Sequence, residues 1–207
     1  MTTTETPETT TRRGRPRSAA SEQAILAASL DLINEGHSPA SISIGAIARR
    51  AGAGKDTIYR RWPCKEDLLL DALAAQNRPL DIPLDVPIRE ALIVPLAALI
   101  ERFQSDRNRR ILRSLYGAGD EFPKLRARYQ EQVVTPRRDR VRARVRAAVE
   151  RGEIVADGNP AETALMPFSA VVLAALEEHP IQGNPRRAAA RMVDSVLRGI
   201  AVAPAPH

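Results

Sequence analysis

Between Pro160 and Glu177 the chain reads PAETALMPFSAVVLAALE, with Ala161, Ala164, Leu165, Phe168, Val171, Val172 and Ala175 three places or one place apart. Only an α-helix gathers positions at that spacing onto one face. Nowhere does the chain offer the apolar–polar alternation that a half-buried strand requires. The expected fold class is therefore all-α. Sixteen prolines and eleven glycines punctuate the apolar runs, and the spacing between them predicts about nine helices. The first begins near Ser21 and stops at Gly36. The second is capped by Ser43, with Ile44, Ile47, Ala48 and Ala51 inward. A third, very short, runs from Lys55 to Arg61, and a fourth starts after Cys64. Five more are expected over about 87–105, 108–118, 122–151 with a bend at Pro136, 160–177 and 185–201.

Aromatic residues make up 3% of the chain and apolar residues 43%, so the core must be built from Leu, Ile, Val and Ala. The proline-spaced run NRPLDIPLDVP (77–87) predicts a domain boundary at about residue 80. The organisation expected is a disordered basic arm over 1–18, a small domain over 19–80 and a helical bundle over 81–207. A single cysteine, Cys64, allows no internal disulfide and fits a reducing compartment. The Thr-rich N-terminus lacks the apolar core of a signal peptide. The run ALIVPLAALI (91–100) is too short to span a bilayer and contains Pro95. A cytoplasmic protein with no membrane partner is expected.

The net charge of +6 is unevenly spread: residues 12–65 hold ten Lys or Arg against four acids, and residues 66–207 hold 21 against 19. An excess confined to the first third of a chain suggests a polyanionic partner for that third. The short helix carries the sharpest form of the signal. A helix barely two turns long gains little from its own hydrogen bonds. On a helical wheel Ile58 and Trp62 share one face and must pack inward. Arg60 lies opposite them, flanked by Asp56 and Thr57, while Tyr59 and Arg61 edge the buried stripe and Lys55 projects from the start. A rod held by one face and presenting cations on the other fits the second helix of a helix-turn-helix, which lies in the major groove of DNA. The preceding helix would then aim its N-terminal amides, near Ser43, at a phosphate, and Lys65 could reach another. The competing explanation is a small helical domain whose charges are merely solvated.

SISIGAIARRAGAGKDTIYRRWPCKEDLL (41–69) resembles the DNA-binding signature of TetR-family transcriptional regulators, with Ile47, Ala48, Ala51, Gly52, Thr57, Tyr59, Trp62 and Lys65 at matching positions. RVRARVRAAVERGEI (140–154) is similar to a segment common in the ligand-binding domains of that family. The resemblance implies a homodimer on a near-palindromic double-stranded DNA operator, acting as a repressor released by a small-molecule inducer. By matching positions, Thr57 and Tyr59 would hold phosphates, and Lys55, Arg60 and Arg61 would be candidates for base contact. Arginine is the better choice for a bidentate guanine contact, worth ~1–3 kcal/mol against a wrong base. Two residues depart from the pattern. Gly54 stands where a Ser N-cap is usual, and Asp56 puts an acid on the DNA-facing side. Asp56 either pairs with Arg60, accepts from a cytosine amino group, or serves only as a helix-dipole cap.

TRRGRPRSAA (11–20) resembles arms that enter an A·T-rich minor groove, with Arg13, Arg15 and Arg17 as the contacting residues; the alternative is a solubilising tail. The arginines at 137, 138, 140, 142, 144 and 146 read as a solvated helix face or as subunit contacts to acids such as Glu177 and Glu178. Cys64 reads as a replacement for a capping Ser rather than a redox sensor. His37, His179 and His207 have no metal-ligand spacing, and no phosphate loop or nucleophile elbow is present. No cofactor, metal or enzymatic residue set is expected. By family resemblance a ligand pocket lies among the helices beginning near 87, 108, 122 and 160, lined by Phe103, Tyr116, Tyr129, Met166 and Phe168, each of which also serves as plain core. The few aromatics favour an aliphatic or amphipathic ligand. The last two helices are expected to pair with their mates as a four-helix bundle, with Phe168, Val171, Val172 and Ala175 facing Met192, Val196 and Ile200. Two alternatives stay open: a DNA-binding regulator with no small ligand, and a helical enzyme or interaction protein whose basic N-terminus is incidental.

Overall fold

The computed structural model of the chain describes residues 15–77, 83–117, 122–155 and 158–200. Among the described residues all regular structure is helical. The first part comprises α1 (Arg15–Asn34), α2 (Ile44–Ala51), α3 (Lys55–Tyr59) and α4 (Lys65–Ala75). Helix α1 starts six residues before the expected Ser21, so the backbone of Arg15 to Ser18 is helical rather than part of a disordered arm. Arg13 and the domain boundary near residue 80 lie outside the described residues.

Helix α2 ends because Gly52 takes the left-handed conformation at φ 62°. The Ala53 N–H then reaches back to the Ala48 carbonyl at 3.0 Å and the Gly52 N–H to that of Arg49, which closes a Schellman turn. Only glycine adopts that backbone without strain, and the turn sends α3 off at once. Ile25, Leu32, Ile47, Ile58, Trp62 and Leu69 form the centre of this core.

The second part comprises α5 (Ile88–Gln104), α6 (Asp106–Gly117), α7 (Pro123–Tyr129), α8 (Thr135–Glu150), α9 (Pro160–Leu176) and α10 (Pro185–Ile200). The bend expected at Pro136 takes the form of a π-helical turn, Gln130–Val134, between α7 and α8. Proline lacks an N–H and its ring crowds the carbonyl four residues back. The widened turn relieves that crowding, and Thr135 donates to the Gln130 carbonyl five residues earlier. Central helix α5 packs on α6, α8, α9 and α10, and buries Ala91, Leu92, Ile93, Leu96, Ile100 and Phe103.

The two parts are not separate globules. Ile111, Leu115, Leu125, Tyr129 and Val133, from α6, α7 and the π turn, complete the core of the first part. The short helices α2 and α3 thus ride on α1 and α4, which are seated on α6 and α7.

Candidate nucleic-acid interface and interior cavity

Helix α3 is only five residues long, and tertiary packing holds it. Ile58 is fully buried and Trp62 nearly so, and the Trp62 Nε1–H donates to Asp71 Oδ2 of α4 at 2.8 Å. On the opposite face Lys55, Asp56, Tyr59 and Arg60 are exposed and Thr57 is half-buried. Among the described residues no Asp56–Arg60 ion pair forms.

Helix α2 adds to the same surface. Ser43 is exposed and its Oγ accepts from the Ala46 N–H at 3.1 Å, so it caps the helix as expected. A Cβ on Gly45 would stand 3.3 Å from Lys55 Cε, and Arg49 Nη1 lies 3.8 Å from the same point. Two cations from different helices thus meet over a bare glycine beside the N-terminus of α2. Gly45 and Arg49 are members of this patch that sequence reasoning missed; a glycine inside the apolar rhythm of the second helix was the available signal.

Three expected roles need correction. Lys65 does not stand free for a phosphate: its ammonium donates to the carbonyls of Ala40 and Ile42 at 2.8 and 2.9 Å and lies 4.9 Å from the Phe122 ring centroid. Burial pushes its pKa down. It ties the loop before α2 to α4. Arg61 turns toward α1, where its Nε lies 3.8 Å from Glu22 Oε2, with the side chain 19% exposed. Cys64 makes no capping bond to the helix backbone. Its thiol donates instead to Asp67 Oδ2 at 3.1 Å, and that bond, with burial second, pushes the thiol pKa up. Arg15 and Arg17 fall in the first turn of α1.

A cavity of about 610 Å³ lies in the second part, bordered by α5, α6, α7, α8, α9 and the end of α4. Phe103, Tyr116, Tyr129 and Phe168 line it, as does Pro95. Met166 does not, since it points outward and is 63% exposed. Four of the chain's seven aromatic residues therefore face one cavity, so overall aromatic scarcity says little about its occupant. Val172 also borders the cavity, whereas Val171 and Ala175, expected at a subunit interface, are buried in the chain's own core. Met192 and Val196 are half-buried, and Ile200 ends α10 with its side chain outside the described residues.

The arginines of α8 do not form one solvated face. Arg142 pairs with Asp139 and with Glu162 of α9, and Arg138, Arg140 and Arg146 are exposed. Arg144 is buried and Arg137 half-buried, and both line the cavity with Arg102 of α5. Arg102 Nη1 donates to Asn77 Oδ1, and Arg137 Nη2 donates to the Asn77 carbonyl and Oδ1 at 2.8 and 2.6 Å. Burial lowers the pKa of both guanidinium groups. Among the described residues neither forms an ion pair with a carboxylate. Sequence reasoning missed this cluster, although positions 137, 141, 144 and 148 share the spacing of one helical stripe with the buried Val141 and Ala148.

A packed short helix that offers cations outward after a glycine turn, set on an all-helical bundle with a cavity, is the architecture of a helix-turn-helix DNA-binding protein. Residues 25–72 match the profile of bacterial regulatory proteins of the TetR family, and residues 87–196 match the tetracyclin repressor-like C-terminal domain. The chain belongs to the TetR family of DNA-binding transcriptional regulators, and is not an enzyme. It is 32% identical over 144 residues to the HTH-type transcriptional regulator YdeS of Bacillus subtilis, covering 69% of this chain and 72% of that protein. The fold is similar to that of a TetR-family regulator from Mesorhizobium loti, at 21% identity and a TM-score of 0.64 over 91% of this chain and all of that one. It is also similar to NalD of Pseudomonas aeruginosa, described as the secondary repressor of a multidrug efflux pump, at 20% identity and a TM-score of 0.63 over 89% and 98% of the two chains. No helix among the described residues is long and apolar enough to cross a membrane.

Proposed function

We propose that this chain is a homodimeric repressor that binds a near-palindromic operator and is released when a small molecule fills the cavity. The observation that carries the DNA-binding half is α3: Ile58 and Trp62 are buried while Lys55, Tyr59 and Arg60 are exposed on a helix too short to stand alone. In this reading Lys55 and Arg60 contact base edges, Thr57 and Tyr59 hold phosphates, and the N-terminus of α2 with Ser43 binds a further phosphate. Arg13, on the segment before α1, approaches the flanking minor groove.

Dimerisation is supported by α9, where Met166 and Leu173 are 63% and 55% exposed. With Ala170 they sit at helical spacing and make an outward apolar stripe. Phe168, Val172, Met192 and Val196 flank it. A twofold axis beside α9 and α10 would set two α3 helices about one DNA turn apart, roughly 34–36 Å. The cavity volume falls in the range used for drug-sized ligands, about 300–1,000 Å³, which favours a ligand-responsive regulator over one without a ligand.

The test is a binding assay on fragments selected from the host's own genomic DNA. Arg60→Ala and Lys55→Ala should each cost ~1–3 kcal/mol and relax base preference, while Thr57→Val should weaken all sequences alike. Removing residues 1–14, which precede α1, should flatten the salt dependence by roughly one unit per lost phosphate contact. Binding that survives the double substitution of Lys55 and Arg60 would remove the reading.

A further inference from the structure

The cavity is unusual in its charge. Arg102, Arg137 and Arg144 converge on it from two helices, and the sole carboxylate on its wall, Glu101, is exposed. Arg102 and Arg137 are held by neutral acceptors, the carbonyl groups of Gln76 and Asn77. Such bonds satisfy N–H groups but leave the charge uncompensated, and a cation withdrawn from water needs an anion beside it. Arg102 Nε is buried with no hydrogen-bond acceptor among the described residues. The rest of the wall is apolar, with Leu99, Phe103, Leu165 and Phe168. A site with a cationic end and an apolar body selects a ligand with an anionic end and an apolar body.

Resting on the reading of this cavity as the effector site, we propose that it takes an amphipathic carboxylate, its anionic group held by Arg102 and Arg137 and its apolar part lodged against Phe103 and Phe168. The planar guanidinium fork suits a carboxylate through paired, charge-assisted hydrogen bonds. The same geometry couples occupancy to the DNA-binding part. Asn77 follows directly on α4, whose residues Lys65 and Asp71 hold the loop before α2 and the indole of Trp62. A carboxylate competes with Asn77 for both arginines and so loosens the end of α4. Linkage requires that DNA binding and carboxylate binding then oppose one another.

Calorimetric titration of the full-length protein compares 2-naphthoate with 2-naphthamide and decanoate with decanamide, pairs alike in shape and different in charge. Each carboxylate should bind about tenfold or more tighter than its amide. Arg102→Met and Arg137→Met should bring that ratio close to one while leaving amide affinity in place. Arg137→Lys, which keeps the charge, should retain part of the preference, and guards against a methionine variant that fails to fold. Equal or tighter amide binding, no binding by either carboxylate at millimolar concentration, or a preference that survives both arginine substitutions overturns the inference. DNA release is read separately by fluorescence anisotropy. Carboxylates that bind with the arginine-dependent preference but release no DNA leave the ligand class standing and overturn both the coupling through Asn77 and the inducer reading. Amides that bind better and release DNA overturn the ligand class and leave the inducer reading standing.

Discussion

Asp67 shows how much one side chain can settle. It accepts from the Cys64 thiol at 3.1 Å and from Arg128 of α7 at 2.6 Å, and these bonds hold its carboxyl below the ordinary aspartate range. A carboxylate whose pKa falls on folding adds stability above its unfolded pKa, and that contribution disappears as pH drops through the lower folded value. Asp67→Asn should therefore lower the melting temperature at neutral pH, with the gap to wild type closing in strong acid. A gap that stays constant into strong acid would contradict the assignment. The same substitution frees the thiol from its acceptor, so Cys64 should react faster with iodoacetamide at neutral pH. Gly45 offers a second test. Alanine there crowds Lys55 Cε at 3.3 Å, so Gly45→Ala should weaken DNA binding several-fold in a shift assay while the thermal melt stays at or above wild type.

At the scale of elements, α3 separates anchoring from contact. Ile58→Ala should cost roughly 2–5 kcal/mol in urea unfolding, the usual range for emptying a buried aliphatic site. Trp62→Phe keeps part of the burial but deletes the bond to Asp71 and leaves a cavity where the indole stood, so it should cost at least about 1 kcal/mol. Arg60→Ala should stay within about 0.5 kcal/mol of wild type in the same measurement and yet lose operator affinity. If Arg60→Ala destabilised the fold as much as Ile58→Ala, the outward face would be structural. The inner face of this helix was legible in the sequence because Ile58 and Trp62 are four residues apart and leave one geometry open. The direction of Arg61 was not, since a residue at the edge of a stripe is decided by its neighbour, here Glu22 on α1. Likewise Pro136 announced a bend, but the choice of a π turn depended on carbonyls and packing that spacing does not encode.

The whole molecule is joined by a core that ignores the proline-rich boundary: Leu125, Tyr129 and Val133 pack with Ile25 and Ile58 in one cluster. Tyr129, on the cavity wall, belongs to the same cluster as Ile58 of α3. Association makes its own prediction. Ala170→Glu places a charge in the middle of the exposed α9 stripe, and sedimentation should show monomers in place of dimers. Operator affinity should fall with it, because two linked half-sites bind far more tightly than one. A dimer that persists would move the interface elsewhere.

The sequence by itself determined the helical class, the Ser43 cap, the buried anchors of α3 and the basic first third, because each rests on local spacing or local hydrogen bonding. Tertiary structure alone decided that Lys65 holds a loop, that Val171 and Ala175 face inward while Met166 and Leu173 face out, and that Arg102 and Arg137 meet at Asn77. Those outcomes depend on which distant helix arrives beside each side chain, and pairing across such distances leaves no periodic mark in the chain.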